Sequence, residues 1–458
     1  MHIMTFSLSS SIAEPESKDE ALKSITLHQS IFANHKIIPY TDESLYLCKG
    51  TAVESSRMAD IKPRSSDNID NIRSCKFPDI VDSSQLKAVQ LPDPLLASKF
   101  HHVWVVQLLY TNSGVALLAL ASDTMHKLWK WQRTEHNPSG KSSASIKPEL
   151  WQPATGALMT NYTSDTKPAE EASGCIALSK NDSYLLSASG GKVSLFNMIT
   201  FKIMTTFMPP PPAATCLAFD PHDNNFCAVG MEDSTIQIYS VRVDEVKAKL
   251  KGHQKQITGL AFSQALDILV SAGADAQLCI WDTEGWEKKK ARPIQVPPGH
   301  PSPLVGETKV QFHKDQTHLL VVHESQIAVY DSELGCLQSK QAEFTTYWCP
   351  KWYPRDSLSA PISTAIYSCD GLVVFTGFLD GAIGVFDADN FRLRCWIAPS
   401  AYISSSPIAS NKGSGFPVVI AAHPSEPNQI ALGMSNGAVH VIEPSDAEPE
   451  WVGSSMVP

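Results

Sequence analysis

Two apolar, alternating runs lie between Lys251 and Gly273, ITGLAF at 257–262 and ILVSAG at 268–273. A third, QLCIW at 277–281, follows a turn at Ala274-Asp275. Hydrophobic residues at every second position mark half-buried β-strands. The same pairing recurs elsewhere, as TCLAF (215–219) before NFCAVG (225–230) and STAIY (363–367) before LVVFTGF (372–378). The predicted unit is a meander of short antiparallel strands, repeated along the chain.

A spacing rule supports the repetition. Asp275 in the turn precedes Trp281 by six positions, and Asp123–Trp129, Asp233–Tyr239, Glu324–Tyr330 and Asp380–Phe386 share that offset. Gly190–Phe196 and Asn436–Ile442 keep it with substitutions, giving seven units. Their closing positions lie between 42 and 67 residues apart. A repeat of about 40–45 residues with loop insertions is the mark of a β-propeller. The long intervals place insertions at 132–173, 332–359 and 400–415, the first read as a loop decorating blade 1. Pro209–Pro212 is a stiff linker between blades 2 and 3. A propeller must close its ring, and QLKAVQLP (85–92) is the candidate outer strand for the seventh unit.

The stretch 251–282 opens on Gly252-His253 and closes on Trp281-Asp282, the signature of a WD40 blade. His253, Ser271, Asp275 and Trp281 stand where such a blade places a hydrogen-bonded tetrad. The expected fold is therefore all-β, a seven-bladed WD40 propeller over 85–445. A flexible, largely irregular extension precedes it at 1–84 (linker or the remnant of a preceding region), and a disordered tail follows at 446–458. His, Ser and Asp together also make up a hydrolase triad, but in a WD blade the set serves as structural bracing.

Composition agrees. Of 458 residues 43% are hydrophobic and only 18% charged, with 31 Pro and 24 Gly, which suits many strands and turns. Net charge is −10, so nucleic acid and anionic membranes would repel the chain as a whole. Ten cysteines are scattered without a C-x-x-C pair and read as buried free thiols in a reducing compartment. The N-terminus has neither a basic n-region nor a sustained apolar core, and no apolar run is long enough to span a bilayer. The sequons at Asn161 and Asn181 are read as chance matches.

Other motifs weigh toward structure. Gly433-Met434-Ser435-Asn436-Gly437 fits the G-x-S-x-G nucleophile elbow, but it falls on the turn of blade 7 and lacks a strand–turn–helix context. Lys288–Lys290 with Arg292 is the one compact basic cluster, read as a solvated loop after blade 4 rather than an import signal or phosphate contact. Tyr347, Trp348, Trp352 and Tyr353 fit two readings equally, a partner-docking surface or the packing of a blade corner. His101, His102, His313, His318 and His323 lack metal-ligand spacing with partner carboxylates or thiols. No catalytic set, cofactor loop, metal site or small-molecule site is expected.

From Cys175 to Gln264 the chain resembles the second WD40 propeller of plant Topless-related corepressors, down to loops such as MPPPPAAT. LLYTNSGVALLALAS, LWKWQR, ELWQPATGALMTN, GADAQLCIWD, SQIAVYD, WYPRDSLSAPISTAIYSCDG and GMSNGAVHVIEPSD extend the resemblance over about 85–446, and TAVESSRMADIKPR is similar to the family's inter-propeller linker. The resemblance implies a non-enzymatic nuclear scaffold that represses transcription in hormone pathways. Its partners would be transcriptional repressors and chromatin-modifying machinery such as histone deacetylases, with no direct nucleic-acid contact. The family's N-terminal helical LisH/CTLH region, which grips LxLxL-type motifs, has no counterpart here, nor does a complete first propeller. A WD40 adaptor outside transcription, such as a ubiquitin-ligase substrate receptor or a coat subunit, is the alternative.

Overall fold

The computed structural model describes residues 79–92, 103–161, 174–190, 192–207, 211–223, 225–295, 307–323, 325–341, 360–403, 415–446 and 451. Seven antiparallel sheets carry the alternating runs read from the sequence, making an all-β seven-bladed propeller. Blade 1 comprises Val105–Tyr110, Ala116–Ala121, His126–Lys130 and Glu149–Trp151. Blade 4 comprises Ile257–Ser263, Ile268–Gly273, Gln277–Asp282 and Lys288–Pro293. Blades 2, 3, 5 and 6 occupy 175–207, 214–251, 309–341 and 362–397. First strands of neighbouring blades pack on one another at most junctions, and second strands such as Ala116–Ala121 and Ile268–Gly273 are buried throughout.

The six-residue rule has a local cause. Side-chain oxygens of Asp123, Asp233, Asp275, Asp380 and Asn436 each accept the amide two residues on, at 3.0–3.2 Å. The residue between them turns left-handed: Thr124, Ser234, Ala276, Gly381 and Gly437 all have positive φ. This side-chain-capped turn fixes the register of the second and third strands. The closing aromatic then falls where pairing with the outer strand slips by one, at Tyr239, Trp281, Tyr330 and Phe386.

Blade 7 contributes only three strands from the C-terminal side, Pro417–Ala422, Ile430–Met434 and Val439–Pro444. Leu86–Gln90 supplies the fourth, antiparallel, with Leu86 opposite Pro444 and Gln90 opposite His440. Residues just ahead of 85 also join the blades. Asp79–Ile80 pairs in parallel with Trp396 and Ile397, adding a fifth strand to blade 6, and Ser83–Gln85 forms a 3-10 turn capped by Asp82. Beyond blade 7, Trp451 is buried and stands edge-on to Phe375, with ring centroids 5.8 Å apart.

The insertion after blade 1 also does more than decorate. Before reaching its outer strand Glu149–Trp151, it crosses to blade 7. Lys141 pairs with Glu426 at 2.9 Å, and Ser143 and the Ala144 amide donate to Glu443. Buried Gln429 sits at the centre. Its carbonyl accepts from Tyr110 and Ser142, and its amide donates to Ser142 O and Glu443.

Turns joining first and second strands link further blades. The Asn112 and Ser113 amides donate to Asp182, Ser263 donates to Gln316 O, and His222 meets Asp267 at 3.3 Å. His313 Nε2 and His423 Nε2 reach the carbonyls of Gly371 and Gly114 at 3.0 and 3.2 Å. Both glycines have positive φ, and a Cβ there would meet the imidazoles at 2.1 and 2.7 Å, so no larger residue fits.

Two outcomes follow. Leu86→Ala should destabilise the propeller by about 2–5 kcal/mol in chemical denaturation, and deletion through Pro92 should abolish cooperative unfolding, because a buried edge would open. Burial also lowers the imidazoles of His126 and His440 from 6.5 to about 4. The fold holds both neutral, so their contribution is intact above pH 6.5 and lost as pH falls toward about 4. The urea midpoint should drop across that window, and less so in His440→Gln; a flat profile would contradict their burial.

Candidate functional site

Blade 4 assembles its four polar residues from four places in the chain. His253 comes from the segment entering the blade, Ser271 from the second strand, Asp275 from the turn and Trp281 from the third strand. Trp281 Nε1 donates to Ser271 Oγ at 2.8 Å, and Ser271 Oγ lies 2.8 Å from His253 Nε2. His253 Nδ1 lies 3.1 and 3.2 Å from the two Asp275 oxygens. One assignment satisfies every group: the serine hydroxyl donates to Nε2, and Nδ1–H donates to the carboxylate. Asp275 also accepts the Gln254 amide at 2.8 Å, which holds the incoming segment. The His253 side chain is wholly buried and that of Asp275 nearly so.

Two glycines make room. A Cβ on Gly252 would meet Trp281 Cη2 at 2.8 Å, and one on Gly273 would meet Asp275 Oδ1 at 2.5 Å and His253 Nδ1 at 2.6 Å. The Gly-His pair therefore reflects close approach of the backbone to the indole. Ser271 is fully buried with its oxygen already bonded by the indole, so these four polar residues form a brace and present no exposed nucleophile.

Strand register puts Ala119, Ser187, Val229, Val321, Thr376 and Leu432 at the place of Ser271 in the other blades. Each solves the problem differently. In blade 2, Ser187 bonds His126 of blade 1 at 2.8 Å, while His126 Nδ1 donates to Met159 O. In blade 1, Trp129 Nε1 donates to Pro92 O at 2.8 Å. In blade 5, the Tyr330 hydroxyl accepts the Gln295 amide. In blade 6, the Thr376 hydroxyl is buried without a hydrogen-bond partner, and Phe386, at the place of Trp281, has nothing to donate.

The remaining candidates resolve individually. Tyr347, Trp348, Trp352 and Tyr353 lie outside the described residues. The basic cluster is not a loop: Lys288–Pro293 is the outer strand of blade 4, with Lys289 on Asp282 at 2.6 Å and Lys290 on Glu333 at 2.5 Å. Ser435 Oγ accepts the Phe416 amide, so the G-x-S-x-G match is turn geometry. Asn161 is buried and donates to the carbonyls of Ser187 and Ser189, which rules out a glycan there. The thiols of Cys175, Cys227 and Cys279 are pushed up to about 11, 12 and 11 by burial. No helix of the described residues is long and apolar enough to cross a membrane.

One cluster escaped the sequence reading. His313 and His318, seen as lacking a carboxylate, converge on Asp315 in the turn of blade 5. Desolvation raises the Asp315 carboxyl, but hydrogen bonds led by those from Thr317 and His318 outweigh it and hold the group well below the usual range. The signal was H-x-D-x-x-H, with the acid between the histidines rather than after them.

The sheets and the buried brace define a WD-repeat propeller, and the family model described as WD domain, G-beta repeat matches residues 244–282. Rice TOPLESS-RELATED PROTEIN 2 is 63% identical over 399 residues, 87% of this chain and 34% of its own. Arabidopsis Protein TOPLESS is 52% identical over 405 residues, 88% of this chain and 34% of its own. Arabidopsis Topless-related protein 3 is 52% identical over 431 residues, 92% of this chain and 36% of its own. The chain belongs to the Topless-related family across this span, which is about a third of the relatives' length.

Breaking the brace should cost stability. His253→Ala and Asp275→Asn should each destabilise the propeller by about 1–3 kcal/mol in urea titrations. The double variant should cost less than the two effects added, because both remove the same bond. Strict additivity would show that the two side chains do not interact.

Proposed function

We propose that this propeller is a non-enzymatic docking scaffold of the Topless type, working in the nucleus to repress transcription by holding repressors and chromatin-modifying proteins together. The observation that carries the reading is the 52–63% identity to Topless-related proteins, which extends over about 87% of the chain and not the WD motif alone. A generic WD resemblance would keep apolar strand positions and turn acids and let the loops diverge. The polar groups that could suggest catalysis support the same reading, since they are spent on bracing.

A rigid ring offers several faces at once, and its outer strands carry apolar side chains in water. Ile199 and Met204 on blade 2 are 70% and 58% exposed, and Val243 and Val246 on blade 3 are also exposed. Such residues suit protein contact.

The test is a tethering experiment. Fused to a heterologous DNA-binding domain in plant cells, residues 79–458 should lower transcription of a reporter carrying the matching site. Deacetylase or repressor proteins should co-purify from nuclei with the same fusion. Unchanged reporter output with neither class of partner would refute the reading, and recovery of ubiquitin-ligase or coat subunits instead would point to an adaptor outside transcription.

A further inference from the structure

We propose that His313, Asp315 and His318 form a site for a borderline divalent transition-metal ion, zinc foremost, on the turn between the first two strands of blade 5. This inference stands apart from the corepressor reading. The turn joins Lys309–Phe312 to Leu319–His323. Within it, Asp315 Oδ2 lies 2.9 Å from His313 Nδ1 and 2.5 Å from His318 Nδ1, and the three ligand atoms all fall within 4.8 Å of one another.

The surroundings aim these atoms. Asp315 Oδ1 is occupied by the amides of Thr317 and His318, at 2.8 and 3.0 Å, which leaves Oδ2 to face the imidazoles. His313 Nε2 points at the Gly371 carbonyl at 3.0 Å. A carbonyl can only accept, so Nε2 carries the hydrogen and the Nδ1 lone pair is turned into the cluster. The Asp315 amide reaches that lone pair at 3.2 Å, a long bond. An imidazole fixed through its far nitrogen by a carbonyl is the usual support of a metal ligand.

The donor set selects the ion. Two imidazole nitrogens and one carboxylate oxygen suit zinc, nickel or copper(II), whereas calcium and magnesium require oxygen ligands. Three protein ligands leave a position for water or a group from a partner. Donors on a tetrahedral zinc stand about 3.3–3.5 Å apart for bonds of about 2.0–2.2 Å, so the cluster must open by up to about 1 Å. His318, with its side chain 44% exposed and its ring nitrogen bonded only to its turn neighbours, is the ligand free to move. His313 also ties blade 5 to blade 6, so a bound ion would stiffen that junction.

The experiment uses the full chain, stripped by chelator and titrated with zinc chloride by calorimetry, with cobalt(II) as a spectroscopic stand-in. One equivalent should bind, raising the melting temperature with metal concentration. Cobalt should give visible d–d bands without the near-ultraviolet charge transfer of thiolate ligands. His318→Ala and Asp315→Asn, which both keep the His313–Gly371 bond, should weaken binding by more than about tenfold. Their metal-free melting temperatures should match the parent's. Absence of binding, binding unchanged in both variants, or a thiolate signature would overturn the proposal.

Discussion

Closure of the ring is the constraint on which the rest of the structure depends. Every sheet has edges, and an open edge beside an apolar face invites pairing with another chain. A propeller hides its inner edges by packing blade on blade, which works only if the last blade meets the first. Here two fasteners share that load. Leu86–Gln90 completes the hydrogen-bond ladder of blade 7 from the other end of the chain. Gln429, fully bonded between Tyr110, Ser142 and Glu443, locks the blade 1 insertion onto blade 7. One is backbone and the other is side chain.

With the ring closed, individual blades can afford to differ. Only blade 4 combines the His253, Ser271, Asp275 and Trp281 brace, and it does so with a consistent chain of donors and acceptors. Elsewhere the same position is served by a neighbour's imidazole, by a backbone carbonyl or by nothing at all, as at Thr376. Neighbouring blades are also tied through their turns, at Asp182, Asp267, Gln316, Gly371 and Gly114. Local bracing and ring-wide ties thus substitute for one another, which is why repeats can diverge without losing the fold.

This division explains what was legible in the sequence. Apolar alternation and the six-residue offset are local, because a turn acid capping its own hairpin leaves its trace within a single repeat. The blades could be read for that reason. Contacts between distant residues leave no such trace: Gln429 with Ser142, or Asp79–Ile80 beside Trp396, requires the ring to be built first. The basic run Lys288–Lys290 misled because an outer strand facing water carries charge at consecutive positions and loses its alternation. The H-x-D-x-x-H turn misled because expected metal motifs place ligands along a helix face or a finger loop, whereas here one tight turn gathers three residues from a six-residue stretch.

The seam also carries a consequence for synthesis. Lys87 and its partner Asp446 are 359 positions apart, so the segment that seals blade 7 emerges from the ribosome before six blades have been made. At ordinary elongation rates it waits on the order of half a minute, its apolar face at Leu86 without a mate. For that interval the growing protein is a crescent with two sticky ends. The exposure ends only when Val439–Pro444 has been translated and can pair with Leu86–Gln90.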